Sequence, residues 1–180
     1  MQCTPFLKIN CQKCLLCKTR VNLVIGRGPA TAITLVIGEA PGTSEDVLGE
    51  AFVGESGQFL DEMLCKVKID PALCFFTNTI LCRPCDSRGG DNREPLPAEI
   101  FLCLNNVLLI INSLKYIRGV IFAGAIAKRY FATRLKGLPQ CHIVHPSFLL
   151  KQGGKASSHY LDAINTLKEF ANEYSYSKIN

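Results

Sequence analysis

Cysteine is the residue type whose number and spacing point most strongly to chemistry in this chain. Ten of the 180 residues are cysteines, and Cys11 and Cys14 form a C-x2-C pair typical of metal sites. Two distant cysteines, Cys82 and Cys103, could complete a set of four thiolates, which suits a tetrahedral zinc ion or an iron–sulfur cubane. Such a site would hold the N-terminal segment on the body of the protein.

The spacing also permits a second set of ligands. Cys17 extends the first pair, and Cys85 forms a C-x2-C pair with Cys82. A zinc site could therefore use Cys14, Cys17, Cys82 and Cys85. Spacing alone does not separate the two sets, or zinc from iron–sulfur. We interpret the other cysteines, in apolar stretches or near a terminus, as thiols without a chemical role: Cys3, Cys65, Cys74 and Cys141.

A second group of reactive side chains follows short apolar runs. Glu39 lies in the segment Gly38-Glu39-Ala40-Pro41-Gly42, Asn78 follows Thr77, and His145 begins the segment His145-Pro146-Ser147. In open parallel sheets, ligands bind beyond the carboxyl ends of the strands. We therefore expect a carboxylate, an amide and an imidazole to converge at one edge of a sheet.

Alternating strands and helices must position these groups. Four short runs, apolar on both faces, predict strands at Ile33–Ile37, Cys74–Thr79, Val120–Ala123 and His142–Val144. Apolar residues at helical spacing predict helices between and after them, with these core positions: Phe59, Leu60, Met63 and Leu64; Leu104, Val107, Leu108 and Ile111; Leu161, Ile164, Leu167 and Phe170. The pattern indicates an α/β fold with a parallel sheet.

Composition limits the class of protein. With 48% hydrophobic and 19% charged residues, the chain is expected to form one compact domain, residues 1–180, rather than a disordered protein. The most apolar stretch, 101–127, is interrupted by polar residues such as Asn106 and Lys115, so no membrane span is expected. No secretory signal is found, which favours the cell interior. The formal charge of +5 would favour a polyanionic partner.

These residues and motifs occur in the order found in the iron–sulfur (family 4) uracil-DNA glycosylases, which the chain resembles from about Cys11 to Asp162. The matching pieces are Cys11-Gln12-Lys13-Cys14 with Arg20, Gly38 to Gly42 with Glu45-Asp46, Phe52-Val53-Gly54, Thr77-Asn78, Cys82-Arg83-Pro84, Asn92-Arg93, Glu99 with Cys103, Gly124, and His145-Pro146-Ser147. Three departures are Ala51 in place of a proline, a longer interval between Cys82 and Cys103, and a shorter one between Phe131 and His145.

The resemblance implies a three-layer α/β/α uracil-DNA glycosylase-like fold with a central, mainly parallel four-stranded sheet. It implies a structural [4Fe-4S] cluster on Cys11, Cys14, Cys82 and Cys103, which resolves the choice of ligands in favour of Cys103. The implied reaction is hydrolysis of the bond between uracil and deoxyribose in DNA, by a monomer acting in base-excision repair.

The resemblance also assigns roles to individual residues. The first candidate for the carboxylate that orients water is Glu39, the second is Glu45 and the third is Asp46. Phe52 would stack on the flipped uracil, Asn78 would read its Watson–Crick edge, and His145 would donate to O2. Expected uracil-binding residues are Gly38, Ala40, Phe52 and Asn78. Expected DNA contacts are Ser147, Phe148, Leu149 and Lys151, with Phe148 and Leu149 as an apolar wedge and Lys155 nearby.

Two other functions remain compatible with the sequence. One is a noncatalytic DNA-binding module of the same fold, which would bind DNA without forming abasic sites. The other is a related enzyme acting on another modified pyrimidine, after changes around Glu50, Ala51 and Phe52.

Overall fold

The computed structural model describes residues 11–173, where four strands alternate with helices. The strands are β1 (Thr34–Gly38), β2 (Cys74–Asn78), β3 (Gly119–Ala123) and β4 (Gln140–Ile143). The α-helices are α1 (Leu16–Thr19), α2 (Thr43–Leu48), α3 (Glu55–Lys66), α4 (Pro97–Ser113), α5 (Ala125–Phe131), α6 (Pro146–Lys151) and α7 (Ser158–Glu173), with 3-10 turns at Pro71–Leu73 and Gly154–Ala156. Cys3 lies outside the described residues.

The four strands form one parallel sheet in the order β2-β1-β3-β4. Every residue of β1, β2 and β3 is buried, whereas the edge strand β4 is only partly covered. This explains the continuous apolar runs, because strands covered on both faces need no polar alternation. The predicted α/β fold is confirmed, and each predicted strand is present with its ends shifted by no more than two residues.

Two apolar clusters, one on each side of the sheet, make the fold a three-layer α/β/α sandwich. On one side α3 and α7 pack against alternate strand residues such as Val36 and Ile121. On the other side α4 and α5 pack against the intervening residues, such as Leu35 and Val120. Successive strand side chains point to opposite faces, so each β-strand contributes to both clusters.

One predicted core position on α7 is wrong. Leu161 is 60% exposed, whereas Tyr160, Ile164 and Leu167 are buried. The buried stripe runs at intervals of four and three residues from Tyr160, and Leu161 lies about 100° further round the helix. No helix in the 11–173 range is long and apolar enough to cross a membrane.

Candidate functional site

A wide groove lies at the carboxyl edge of the sheet. Glu39 and Ala40 follow β1, Asn78 ends β2, and Phe52 and His145 come from two other segments; all five line this groove. Ser147, Phe148 and Lys151 of α6 and Glu45 of α2 line it as well. The parallel topology brings these distant segments together, because every strand ends at the same edge.

Gly38 allows an aromatic ring and an amide to approach each other closely. A Cβ atom added to Gly38 would lie 2.5 Å from Cζ of Phe52 and 2.6 Å from Oδ1 of Asn78. Gly38 is therefore the surface against which both side chains pack, rather than part of the groove lining itself. Phe52 is 6% exposed and Asn78 is 2% exposed, so both are held nearly immobile.

The Phe52 backbone adopts a conformation that is rare for a residue with a side chain. Its φ angle is +57°, in the left-handed region that costs a non-glycine residue of order 1 kcal/mol or more. Gly57 makes room for this turn, since a Cβ atom there would come within 2.0 Å of the Phe52 carbonyl oxygen. The strain is thus maintained by close packing, which fixes the direction of the ring.

A second aromatic ring supports Phe52 from behind. The ring centroids of Phe52 and Phe76 are 5.6 Å apart, within the range of favourable aromatic pairs. The Arg27 guanidinium lies 4.2 Å from the Phe76 centroid and forms a 2.8 Å ion pair with Asp61. Phe76 and Arg27 therefore brace the groove wall.

His145 is positioned as a neutral hydrogen-bond donor. Its Nδ1 lies 2.8 Å from Oγ of Ser147 and accepts the Ser147 amide hydrogen at 3.3 Å. Burial lowers the pKa of His145 to about 4, although the nearby Glu45 carboxylate opposes this. At neutral pH the imidazole is uncharged, and because Nδ1 accepts the amide hydrogen, the ring proton lies on Nε2.

The three candidate carboxylates differ in their surroundings. Both oxygens of Glu45 accept backbone amides, from Gly42 at 3.0 Å and from Gly54 at 2.7 Å. Asp46 is buried outside the groove lining and accepts the amides of residues 21 and 22. Within residues 11–173 the Glu39 carboxylate accepts no hydrogen bond from the protein, which leaves it available to the groove.

Burial raises the pKa of Glu39, and the negative charge of Glu94 raises it further. Glu94 lines the same groove together with Asn92 and Arg93. These three residues belong to the segment between β2 and α4, which the sequence did not assign to the site.

The expected DNA contacts divide into exposed and buried side chains. Phe148 is 41% exposed and stacks edge-on against His159, with centroids 5.4 Å apart. Leu149 is fully buried and belongs to the core, so it does not present the surface expected of a wedge. Lys155 does not line the groove and forms a 2.8 Å ion pair with Glu62.

A second cavity is surrounded by cysteines. Its lining includes Cys11, Cys14, Cys17, Cys82 and Cys103. Cys85 is absent from this lining, and its sulfur instead lies 3.8 Å from the Arg83 carbonyl oxygen. The alternative zinc set, which requires Cys85, is therefore not assembled around this cavity. No group of three or more His, Cys, Asp or Glu side chains in residues 11–173 is arranged to hold a single metal ion.

Two side chains donate hydrogen bonds to sulfur atoms at this cavity. Arg20 Nη1 lies 3.1 Å from Cys82 Sγ, and Asn106 Nδ2 lies 3.3 Å from Cys11 Sγ. Lys13 in turn donates to Asn106 Oδ1 at 3.0 Å. Asn106 was not predicted to take part in this site, although a polar residue within an apolar helix was a signal that could have revealed it.

Burial raises the pKa of the Cys82 thiol to about 11 and that of the Cys103 thiol to about 12. Thiols in such surroundings ionise when positive charge compensates for the lost solvation, as a bound metal does.

An ion pair links the groove to the cysteine cavity. Arg93 lines the groove and Glu99 lines the cavity, and their side chains are joined at 2.7 and 2.9 Å. Burial tends to raise the pKa of Glu99, but hydrogen bonds from Arg93 and the Leu96 amide lower it overall. Glu99 therefore remains charged and caps the first turn of α4.

The chain is similar in sequence to known proteins. The sequence profile of the Uracil DNA glycosylase superfamily matches residues 25–168, which include every strand and every residue that lines the groove. The chain belongs to this superfamily. A type-4 uracil-DNA glycosylase from Thermotoga maritima is 32% identical over 78% of each chain.

Two archaeal relatives also carry the name type-4 uracil-DNA glycosylase. The protein from Archaeoglobus fulgidus is 41% identical over 53% of this chain and 45% of its own length. The protein from Pyrobaculum aerophilum is 39% identical over 67% of this chain and 58% of its own length. The match thus covers about half the length of these two members of the superfamily.

Proposed function

We propose that this protein is a uracil-DNA glycosylase, which hydrolyses the N-glycosidic bond of uracil in DNA and leaves an abasic site. The observation that carries the proposal is the convergence of Glu39, Phe52, Asn78 and His145 on one groove. These four residues supply an acid group, a stacking surface, an edge-reading amide and an anion-stabilising donor. The similarity to named type-4 uracil-DNA glycosylases supports the same reaction.

The groove would receive a nucleotide that has left the DNA helix. A base inside a duplex is inaccessible to chemistry, and its extrusion costs a few kcal/mol. Stacking of uracil on Phe52 would offset roughly 1 to 3 kcal/mol of this cost. The ring is already fixed by Phe76 and by the Gly38 contact, so little conformational entropy would be lost on binding.

Asn78 would distinguish uracil from cytosine. A carboxamide offers one donor and one acceptor, which match O4 and N3–H of uracil, whereas cytosine reverses this pattern. Asn78 is 2% exposed and packs against Gly38, which limits the movement of its side chain. A rigid site leaves polar groups unpaired when the wrong base binds, and this produces discrimination.

His145 and Glu39 would act on charges that develop as the bond breaks. The departing uracil gains negative charge, which the Nε2–H of a neutral imidazole can stabilise at O2. The sugar gains positive charge, which a Glu39 carboxylate can stabilise while it orients water. Glu45 is less suited to this role because backbone amides occupy both of its oxygens.

Cys11, Cys14, Cys82 and Cys103 would hold a [4Fe-4S] cluster. They surround one cavity, and the Arg20 and Asn106 side chains donate to two of their sulfurs, as the negative charge of a thiolate-bound cluster requires. The cluster would serve as a structural crosslink that fastens the N-terminal segment to α4 and to the segment that follows β2. Residues 1–180 would then act as a single domain.

DNA containing uracil would be the partner. Ser147, Phe148 and Lys151 lie beside His145 on the groove rim. Phe148 is exposed enough to fill the space left by the extruded base, and Lys151 is an exposed cation suited to a phosphate.

The test is strand scission of an oligonucleotide with one uracil, after incubation with protein and alkali. The parent protein should produce abasic sites, and Glu39→Gln, Asn78→Ala and His145→Ala should each slow single-turnover excision by about 100-fold or more. Glu55→Gln, which removes another groove carboxylate, should retain most activity. Binding without scission would indicate the noncatalytic module, and scission only at another base would indicate a different pyrimidine.

A further inference from the structure

The charged residues are distributed unevenly along the chain. From residue 100 to residue 161 there are eight Lys and Arg residues and no Asp or Glu, so all 15 acidic residues lie elsewhere. This segment contains β3, α5, β4 and α6. This stretch of the chain therefore carries a concentrated positive charge, although the whole protein is only moderately basic.

Six of these cations lie away from the groove, toward the amino-terminal ends of the strands. They are Lys115, Arg118, Lys128, Arg129, Arg134 and Lys136, and we refer to them as the basic surface. Lys115 and Arg118 directly precede β3, and Arg134 and Lys136 directly precede β4. The Val120 amide donates to the Pro139 carbonyl at 2.8 Å, which places these two loops side by side.

Helix α5 brings the other two cations toward the same ends of the strands. It connects the parallel strands β3 and β4, so it runs back from the groove to the start of β4. Lys128 and Arg129 occupy its last turn. Gln140 at the start of β4 donates to the Ala132 carbonyl at 2.9 Å, which fixes the end of this helix against the strand.

The basic surface is exposed and forms no ion pairs within residues 11–173. All six side chains are exposed, and none forms an ion pair with any residue in 11–173. The partial negative charge at the C-terminus of α5 favours cations at Lys128 and Arg129. No such helix end accounts for Lys115, Arg118 and Lys136, which lie in loops. Tyr116, which is 57% exposed, adds an aromatic ring between two of these cations.

We propose that the basic surface binds the phosphate backbone of a DNA segment separate from the segment at the groove. The inference rests on the proposed function, which makes DNA the polyanion that this protein meets. The two sites lie at opposite ends of five-residue strands, a separation of about 17 Å before the loops are added. A DNA that curves around the protein, or a second duplex, would engage both.

The test measures binding of the full-length protein to a uracil-free 30-base-pair duplex. Fluorescence anisotropy gives the binding constant K at several salt concentrations. Lys115→Gln, Lys128→Gln and Lys136→Gln are combined in one variant. The matched control combines Lys18→Gln, Lys66→Gln and Lys68→Gln, three exposed lysines outside this surface. Each phosphate contact contributes about 0.9 to the steepness with which log K falls against log salt. The basic-surface variant should therefore show a slope that is shallower by about 2 to 3, and the control variant should show almost no change.

A second measurement, excision of uracil from a short oligonucleotide at saturating concentration, distinguishes failure of this inference from failure of the proposed function. The basic-surface variant should excise at the parent rate under single-turnover conditions. An unchanged salt slope, or equal losses in both triple variants, would overturn the inference even if excision is normal. A parent that binds through this surface but excises no uracil would refute the proposed function and leave the surface standing.

Discussion

Glu39 shares the groove with a second carboxylate that changes its proton affinity. Burial raises the pKa of Glu39, and Glu94 raises it further. If the ionised form orients water, excision is lost as the pH falls through this raised pKa. Glu94→Gln removes the neighbouring charge, so the acidic limb of the rate profile should move to lower pH.

The measurement is the single-turnover rate of excision between pH 4 and pH 8. Glu55→Gln provides the matched control, because Glu55 lines the groove without affecting Glu39, and its profile should follow the parent. A Glu94→Gln profile that moves to higher pH, or does not move, would show that Glu39 is not the group whose ionisation limits the rate.

Gly38 controls the approach of Phe52 and Asn78, although it does not line the groove itself. Gly38→Ala would place a methyl group 2.5 Å from the ring and 2.6 Å from the amide oxygen, so both must move. We expect a loss of excision of about 100-fold, since displacements near 1 Å have this effect, with a stability cost of about 1 to 3 kcal/mol.

Gly137→Ala is the control for this substitution, because nothing lies within 4 Å of the added atom. Kinetics and urea unfolding of both variants distinguish the outcomes. Full activity in Gly38→Ala would mean that the observed packing of Phe52 and Asn78 is not required for catalysis.

At the residue scale, the sequence identified side chains that project from the ends of strands better than those on helices. Glu39, Asn78 and His145 follow strand ends, and the topology of a parallel sheet places such residues together. Leu149 was expected at the surface but is buried, because a six-residue helix begins at Pro146 and turns it inward. The periodicity of so short a helix cannot be read in advance.

Helix α4 joins the two sites at the scale of secondary structure. Glu99 in its first turn forms an ion pair with Arg93, Cys103 lines the cysteine cavity, and Asn106 donates a hydrogen bond to Cys11 Sγ. Cys103→Ala should lose most of the bound iron and several kcal/mol of stability, because metal binding and folding are coupled. Iron analysis, visible absorbance and thermal unfolding would measure these effects.

Cys85→Ala is the matched control, since Cys85 is as buried as a core residue but lies outside the cavity lining. It should retain iron and colour and cost about 1 kcal/mol. Iron loss in Cys85→Ala with iron retained in Cys103→Ala would reverse the assignment of the ligands.

The strands could be predicted because they are short, continuous apolar runs, as in 74–79, and the long helices because apolar residues recur at helical spacing, as in 97–113. The error at Leu161 arose because α7 has apolar residues at both 160 and 161, and only packing decides which of the two faces the sheet. The segment between β2 and α4 carries no such period, so its approach to the groove through Asn92 to Glu94 could not be inferred from the sequence.

At the scale of the whole molecule, the cluster would fasten residues 11–20 to the rest of the protein. Removal of iron by oxidation and chelation should lower the melting temperature and expose this segment. Trypsin should then cut faster after Lys13, Lys18 or Arg20, with mass spectrometry identifying the sites. Cleavage at the same rate with and without iron would show that Arg20, Asn106 and the apolar contacts hold the segment without the cluster.

One extruded uracil should fit between Glu39, Phe52, Asn78 and His145. The most direct measurement is a crystal structure of the Glu39→Gln variant with duplex DNA that contains uracil. We predict the base stacked on Phe52, its Watson–Crick edge on the Asn78 amide and O2 on Nε2 of His145. A uracil that remains in the helix, or that binds away from the carboxyl edge of the sheet, would contradict the account.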